Sequence, residues 1–147
     1  MKKTSAVFVL FFLLNTGMGL FAQSGTIREI SGTVELKHAG TSDFVAASIG
    51  DRVNQDTVIS TGFRSTALVE VGSTVIAVRP LTKLSLTEIS SSGGAENLNV
   101  SLQTGRVRVD VNPPAGTRAS MTVSGPSATA SVRGTSFSFD GRNVSVS

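Results

Sequence analysis

The chain has no cysteine, no tryptophan and no tyrosine, and His38 is its only histidine. Without cysteine, a core must hold by apolar burial with no disulfide to support it. The same lack removes the usual sulfur ligands of a zinc site, which takes three or four N, S or O donors. His38 with Asp43 or Asp51 is the one metal set to weigh, and it is short of donors. Asp51 and Asp56 do not have calcium-loop spacing; their surroundings suit turns, where an Asp side chain bonds nearby backbone. Any Ser/His/Asp triad would have to use His38, and no nucleophile-elbow pattern accompanies the many serines. His38 is therefore read as a polar strand-end residue, and no catalytic residue, metal or cofactor is expected. Glycan-binding sheets and single-strand nucleic-acid grooves usually present Trp or Tyr platforms. Beyond the leader this chain has only Phe44, Phe63, Phe137 and Phe139, and the last two share parity with a core face.

Long apolar stretches are also scarce, with one exception at the start. Lys2-Lys3 is a positive n-region, Ala6–Leu14 an uninterrupted apolar run, and Leu20-Phe21-Ala22 a usable cleavage site. Residues 1–22 are accordingly read as a signal peptide, in which Asn15, Thr16, Gly17 and Gly19 interrupt the run. The alternative is an uncleaved anchor, because Thr4–Ala22 is nearly long enough to span a bilayer. Membrane association is expected only in that case. No Cys follows the run, which excludes a bacterial lipid-anchored product. The mature part, residues 23–147, is close to neutral: 13 Lys and Arg, less Lys2 and Lys3, leaves 11 against 10 Asp and Glu. Its basic residues are scattered, so nucleic acid is not expected as a partner.

What the mature part does contain is short alternating segments. Thr66–Arg79 is the clearest hairpin, with Gly72-Ser73 in the order a type II′ turn demands. That turn sets Val71 opposite Thr74, Val69 opposite Ile76 and Ala67 opposite Val78, making one face apolar. The reverse face carries Glu70/Val75, Leu68/Ala77 and Thr66/Arg79. Other strands are expected at Thr33–Lys37 after Gly32, at Thr57–Thr61, and at Lys83–Ile89, with Asp43–Ala47 a shorter strand or loop. Pro80 should end the second hairpin strand. Ser90–Ala95 reads as a flexible loop tip before Leu98, Val100 and Leu102 alternate. Arg106–Val111 places Val107, Val109 and Val111 inward and Arg106, Arg108 and Asp110 outward. Asn112–Thr117 is a loop. Met121-Thr122-Val123 leads into Gly125-Pro126, and Ala128, Ala130 and Val132 share a face. Beyond Arg133-Gly134-Thr135, a four-residue loop at Asp140-Gly141 pairs Phe139 with Val144 and Phe137 with Val146.

No mature segment has sustained helical periodicity, and turn signals recur about every 8–12 residues. The expected fold is all-β, a single antiparallel sandwich or roll of short strands. A β-solenoid is the alternative, since several segments repeat a turn-then-strand plan without a fixed period.

Three stretches resemble a known family. Gly32–Leu36 with I-G-D-R-V-N-Q-D-T-V-I-S-T-G-F-R-S-T-A-L-V-E-V-G-S (Ile49–Ser73) is similar to the opening of the FecR domain. Leu102–Val109 resembles its mid-domain strand, and V-S-G-P-S-A-T-A-S-V-R-G-T-S-F (Val123–Phe137) its closing segment. The T-G-x-x-S-x-A and V-R-G-T-x-F blocks are the specific parts. The resemblance implies an extracytoplasmic all-β domain over residues 23–147. In its best-known members that domain senses an outer-membrane siderophore receptor and regulates a sigma factor across the inner membrane. Here only three residues precede Thr4, so no cytoplasmic segment is expected to hold a sigma factor. The chain also ends at Ser147 in mid-strand, as a shortened version of a longer protein would.

The function expected is that of a non-catalytic exported module, periplasmic or extracellular, for protein interaction or envelope-signal sensing, with an envelope protein as partner. The alternative is a small-ligand or glycan binder, such as a peptidoglycan-binding module. The outward row Arg106, Arg108 and Asp110 is the candidate partner-binding face, set against a plain solvated strand face. Arg133-Gly134-Thr135 is read as structural, with Arg133 a buried or half-buried anchor.

Overall fold

A computed structural model describes residues 23–146. The expected signal peptide and its helix lie outside the described residues. Among these the secondary structure is all β. In chain order the strands are β1 (Gly25–Ser31), β2 (Val34–Lys37), β3 (Val45–Ala46), β4 (Arg52–Val53), β5 (Val58–Thr61), β6 (Thr66–Val71) and β7 (Thr74–Val78). There follow β8 (Lys83–Ser92), β9 (Ala95–Thr104), β10 (Val107–Val111), β11 (Arg118–Ser124), β12 (Thr129–Arg133), β13 (Phe137–Phe139) and β14 (Val144–Val146). They form two seven-stranded sheets, ordered β14-β13-β10-β7-β6-β1-β4 and β12-β11-β9-β8-β5-β2-β3. Alternation drives the packing of one sheet on the other. All strands but the edge strands β3 and β14 turn apolar side chains inward, so Ile27, Leu36, Ile59, Val69, Ile76, Leu84, Leu102, Val107, Met121 and Phe137 join a single buried cluster.

The β6–β7 hairpin has the expected register, Val71↔Thr74 through Ala67↔Val78. Gly72 has φ +56° while Ser73 stays at negative φ, as a type II′ turn requires. Glu96 reaches this turn from the other sheet, accepting from Ser73 N at 3.0 Å and Ser73 Oγ at 2.5 Å. The last hairpin also pairs as expected, Phe139↔Val144 and Phe137↔Val146.

Three features differ from expectation. Ser90–Ala95 is not a loop: β8 and β9 run on to a two-residue turn at Gly93-Gly94, both at positive φ. A bulge at Thr87 shifts the register between Leu86 and Glu88, which is how Ile89 regains the core face. The sandwich is also not wholly antiparallel, because β11 lies parallel to β9, with β10 crossing through the opposite sheet between them. That one coil is solenoid-like, within a sandwich.

Four sheet-to-sheet crossings (β1–β2, β5–β6, β7–β8, β9–β10) gather at one end, stitched by three buried hydroxyls. Ser65 Oγ accepts from Thr33 N at 2.8 Å and donates to Phe63 O at 3.0 Å. Thr61 Oγ1 accepts from Thr82 N at 3.0 Å and donates to Arg79 O at 2.6 Å. Thr82 Oγ1 accepts from Arg106 N at 2.9 Å and donates to Arg106 O at 3.1 Å. Gly105, at φ +91°, lies so close to Thr82 that a Cβ would strike it. Thr57 is the contrast: fully buried, with no hydrogen-bond partner for its hydroxyl.

An unpaired buried hydroxyl costs about 1–3 kcal/mol, and a near-isosteric apolar replacement removes that cost. Thr57→Val should therefore raise unfolding stability by about 1 kcal/mol, whereas Thr82→Val should lower it by about 1–3 kcal/mol. Urea midpoints at unchanged slope check both.

Candidate functional site

The outer face of the first sheet is built from the polar parity of its strands. On β10, Arg108 stands beside Ala77 of β7 and Ser138 of β13, and Ser145 of β14 follows Ser138. The short side chains of Ser138 and Ser145 beside the long one of Arg108 leave a depression. It is an open groove of about 930 Å³, rimmed by Arg79, Arg106, Arg108 and Arg142, with Leu81 and Asp140 also in its lining. Four guanidinium groups thus face one carboxylate.

Of the row singled out from sequence, Arg106 and Arg108 are exposed and Asp110 half-buried on the outward side. Arg108 Nε lies 3.6 Å from Asp110 Oδ1, both partly exposed, a pair that contributes little to stability. Asp110 sits at the far end of the row and does not line the groove. Arg79 and Arg142 complete the basic rim and were not singled out from sequence. Arg79 did show as an outward residue of the hairpin, but its nearness to Arg106 depends on a long-range contact, Arg79 N to Arg106 O at 3.1 Å.

Asp140 organises the groove's upper lip. Its Oδ1 accepts from Asn143 N at 2.6 Å and Arg142 N at 3.0 Å, closing the β13–β14 turn. Those two amide bonds, Asn143's first, hold its carboxyl below the usual range, with the Arg106 charge assisting. Further along the face, Arg28 grips Glu70 with two bonds of 2.9 and 3.0 Å, which lowers the Glu70 pKa.

The other candidates separate. His38 is exposed at the end of β2. Asp51 bonds the Ser48 amide at 2.7 Å, the turn role expected of it. Among the described residues no cluster of three or more His, Cys, Asp or Glu could hold a metal. Phe137 and Phe139 are core; Phe44 lies under Lys37 and Lys83, and Phe63 is exposed beside Arg64. Arg133 is exposed, which corrects the anchor expectation. The structural part of that block is Gly134, at φ +63°, which turns the chain from one sheet to the other.

These features define an all-β sandwich with a basic surface groove. The chain belongs to the FecR family, whose model, "FecR protein", matches residues 57–147. Gly32–Leu36 and Ile49–Asp56 fall outside that match, although β1 to β4 pack in the same sandwich. The family is one of regulatory and signalling domains found in bacterial envelope proteins. No curated protein and no solved structure matches the chain. Among the described residues, no helix is long and apolar enough to cross a membrane.

A carboxyl whose folded pKa is depressed stabilises above its unfolded value, about 4, and that contribution is lost as pH falls through the folded pKa. Amide exchange at Arg142 and Asn143 should therefore accelerate below about pH 4 relative to the β6–β7 amides. Asp140→Asn, which keeps an acceptor but does not titrate, should remove that pH dependence.

Proposed function

We propose that this protein is a non-catalytic, exported interaction module that senses envelope state by docking an acidic segment of an envelope protein in the arginine groove. The observation that carries the reading is the groove itself: four arginines around short side chains, on a scaffold of the signalling family to which the chain belongs. Guanidinium forks suit carboxylates, and an accessible groove lets an extended segment run over β10 across Arg106 and Arg108. Export is part of the proposal and is supported by the character of residues 1–22.

A second reading, a small-ligand or glycan binder, is favoured by the opposite sheet. Its outer face aligns Asn97 with Ser120, Asn99 with Thr122 and Ser101 with Ser124, and then Thr122 with Ser131. Ser120 Oγ bonds Asn97 at 2.6 Å and Thr122 meets Ser131 at 3.1 Å, giving a field of hydroxyls and amides bordered by Glu88 and Arg133.

Pull-down from envelope extract should recover a protein that is lost when Arg106→Glu and Arg108→Glu are combined. Since both side chains are exposed, thermal unfolding should barely change. Capture undiminished by the charge reversal would overturn the groove as the docking site. Salt-resistant sedimentation with purified cell wall, abolished by Thr122→Lys, would instead support the glycan reading.

A further inference from the structure

At the stitched end of the sandwich, two large apolar side chains project outward. Phe63, in the β5–β6 loop, is 72% exposed, and Leu81, in the β7–β8 loop, is 60% exposed. The two loops are joined backbone to backbone, with Leu81 N donating to Gly62 O at 3.2 Å. Both loops hold a residue in the left-handed region, Arg64 at φ 53° and Leu81 at φ 54°. For a bulky residue such as leucine that conformation is an outlier, and it persists only where the surroundings impose it. Here the buried hydroxyls of Ser65, Thr61 and Thr82 impose it from below. A leucine held in a strained conformation and turned toward water is not accounted for by folding stability.

The charges around these side chains are mostly positive, with Asp140 the one carboxylate in the depression that Leu81 lines. Arg64 stacks on the Phe63 ring at 5.2 Å, and Arg79, Arg106 and Arg142 share the depression that Leu81 lines. Neither loop, 62–65 or 79–82, carries an acidic residue. Apolar tips set among cations suit a surface with apolar depth beneath anionic headgroups. Shape selects among acidic partners. Anchors of a protein interface fill well-packed pockets, whereas Phe63 and Leu81 stand mostly exposed on two adjoining loops, which a deformable surface accepts. Guanidinium groups also match phosphate in bidentate fashion.

We propose that this loop end is a docking surface for an anionic phospholipid bilayer: Phe63 and Leu81 enter the headgroup–acyl boundary, and Arg64, Arg79, Arg106 and Arg142 bind lipid phosphates. The surface shares Arg79, Leu81, Arg106 and Arg142 with the groove and adds Phe63 and Arg64 at the loop end. It orients the domain with its stitched end toward the membrane.

The test is sedimentation of the full chain with phosphatidylcholine vesicles, with and without phosphatidylglycerol. Residues 1–22 are the same in every variant, so differences between variants report the loop end. The wild type should bind the anionic vesicles and lose binding at high salt. Phe63→Ser and Leu81→Asn combined should weaken it by roughly tenfold; Asn tolerates the left-handed conformation, so the fold is kept. Arg64→Ala provides a second variant, expected to weaken binding by roughly threefold to tenfold. Equal binding to neutral vesicles, no binding by the wild type, or undiminished binding by the folded variants would overturn the proposal. So would capture of poly-glutamate, in place of vesicles, that depends on Phe63 and Leu81. The assay contains no protein partner, so its failure leaves the groove reading standing, and partner capture undiminished by the charge reversal leaves this one standing.

Discussion

The structure depends on satisfying backbone groups where strands leave one sheet for the other. A crossing strand abandons its ladder, and each buried N–H or C=O left behind must find another partner. Four such crossings meet at one end, and three hydroxyls answer them. Ser65 ties the β5–β6 loop to Thr33, Thr61 ties β5 to the β7–β8 loop, and Thr82 ties that loop to Arg106. Each hydroxyl both donates and accepts, which is why Ser and Thr serve where Ala or Val would leave two groups unpaired. The T-G-x-x-S block is therefore explained as a structural clamp. Thr61 and Ser65 are its bonding groups, while Gly62 supplies an amide to Thr33 O at 3.0 Å and a carbonyl to Leu81.

With the crossings fixed, the two outer faces are free to differ, and they do. The first sheet exposes long charged side chains, Arg28, Arg79, Arg106 and Arg108, while the second exposes Ser, Thr and Asn on β9, β11 and β12. Long flexible side chains lose more rotamer freedom on being ordered than short ones do. Binding at the arginine face must therefore recover that loss through charge-assisted bonds, which act best where a groove excludes part of the solvent. Ser138 and Ser145 provide such a groove by being small.

Local patterning made much of this legible. The β6–β7 and β13–β14 registers follow from turn chemistry and parity, both contained within a few residues. The outward set of Arg106 and Arg108 follows from parity as well. Legibility fails where the period breaks or where the partner is distant. The bulge at Arg28 puts Arg28 and Glu29 both outward, so β1 shows no clean alternation, and a clear strand signal starts only at Thr33, beyond β1. Ser90–Ser92 are poor strand formers that pair because β9 lies opposite them. The parallel β9–β11 contact and the gathering of Arg79 and Arg142 around Arg108 rest on strand order, which no window of sequence contains. The buried hydroxyls were visible as a block but not as a network.

The clamp and the exposed side chains alternate along the same short loops. In residues 61–65, Thr61 and Ser65 are buried while Phe63 and Arg64 are exposed; in residues 79–82, Thr82 is buried while Arg79 and Leu81 are exposed. The inward members are fixed by hydrogen-bond geometry, so substitution there disturbs several crossings at once. The outward members make few demands on the fold, although position 81 must tolerate a left-handed backbone. A scaffold so divided can keep its clamp and change what its loop end and groove recognise. On that physical ground, residues 63, 64, 79, 81 and 106 can change with little cost to the fold, and the Thr and Ser between them hold those side chains in place.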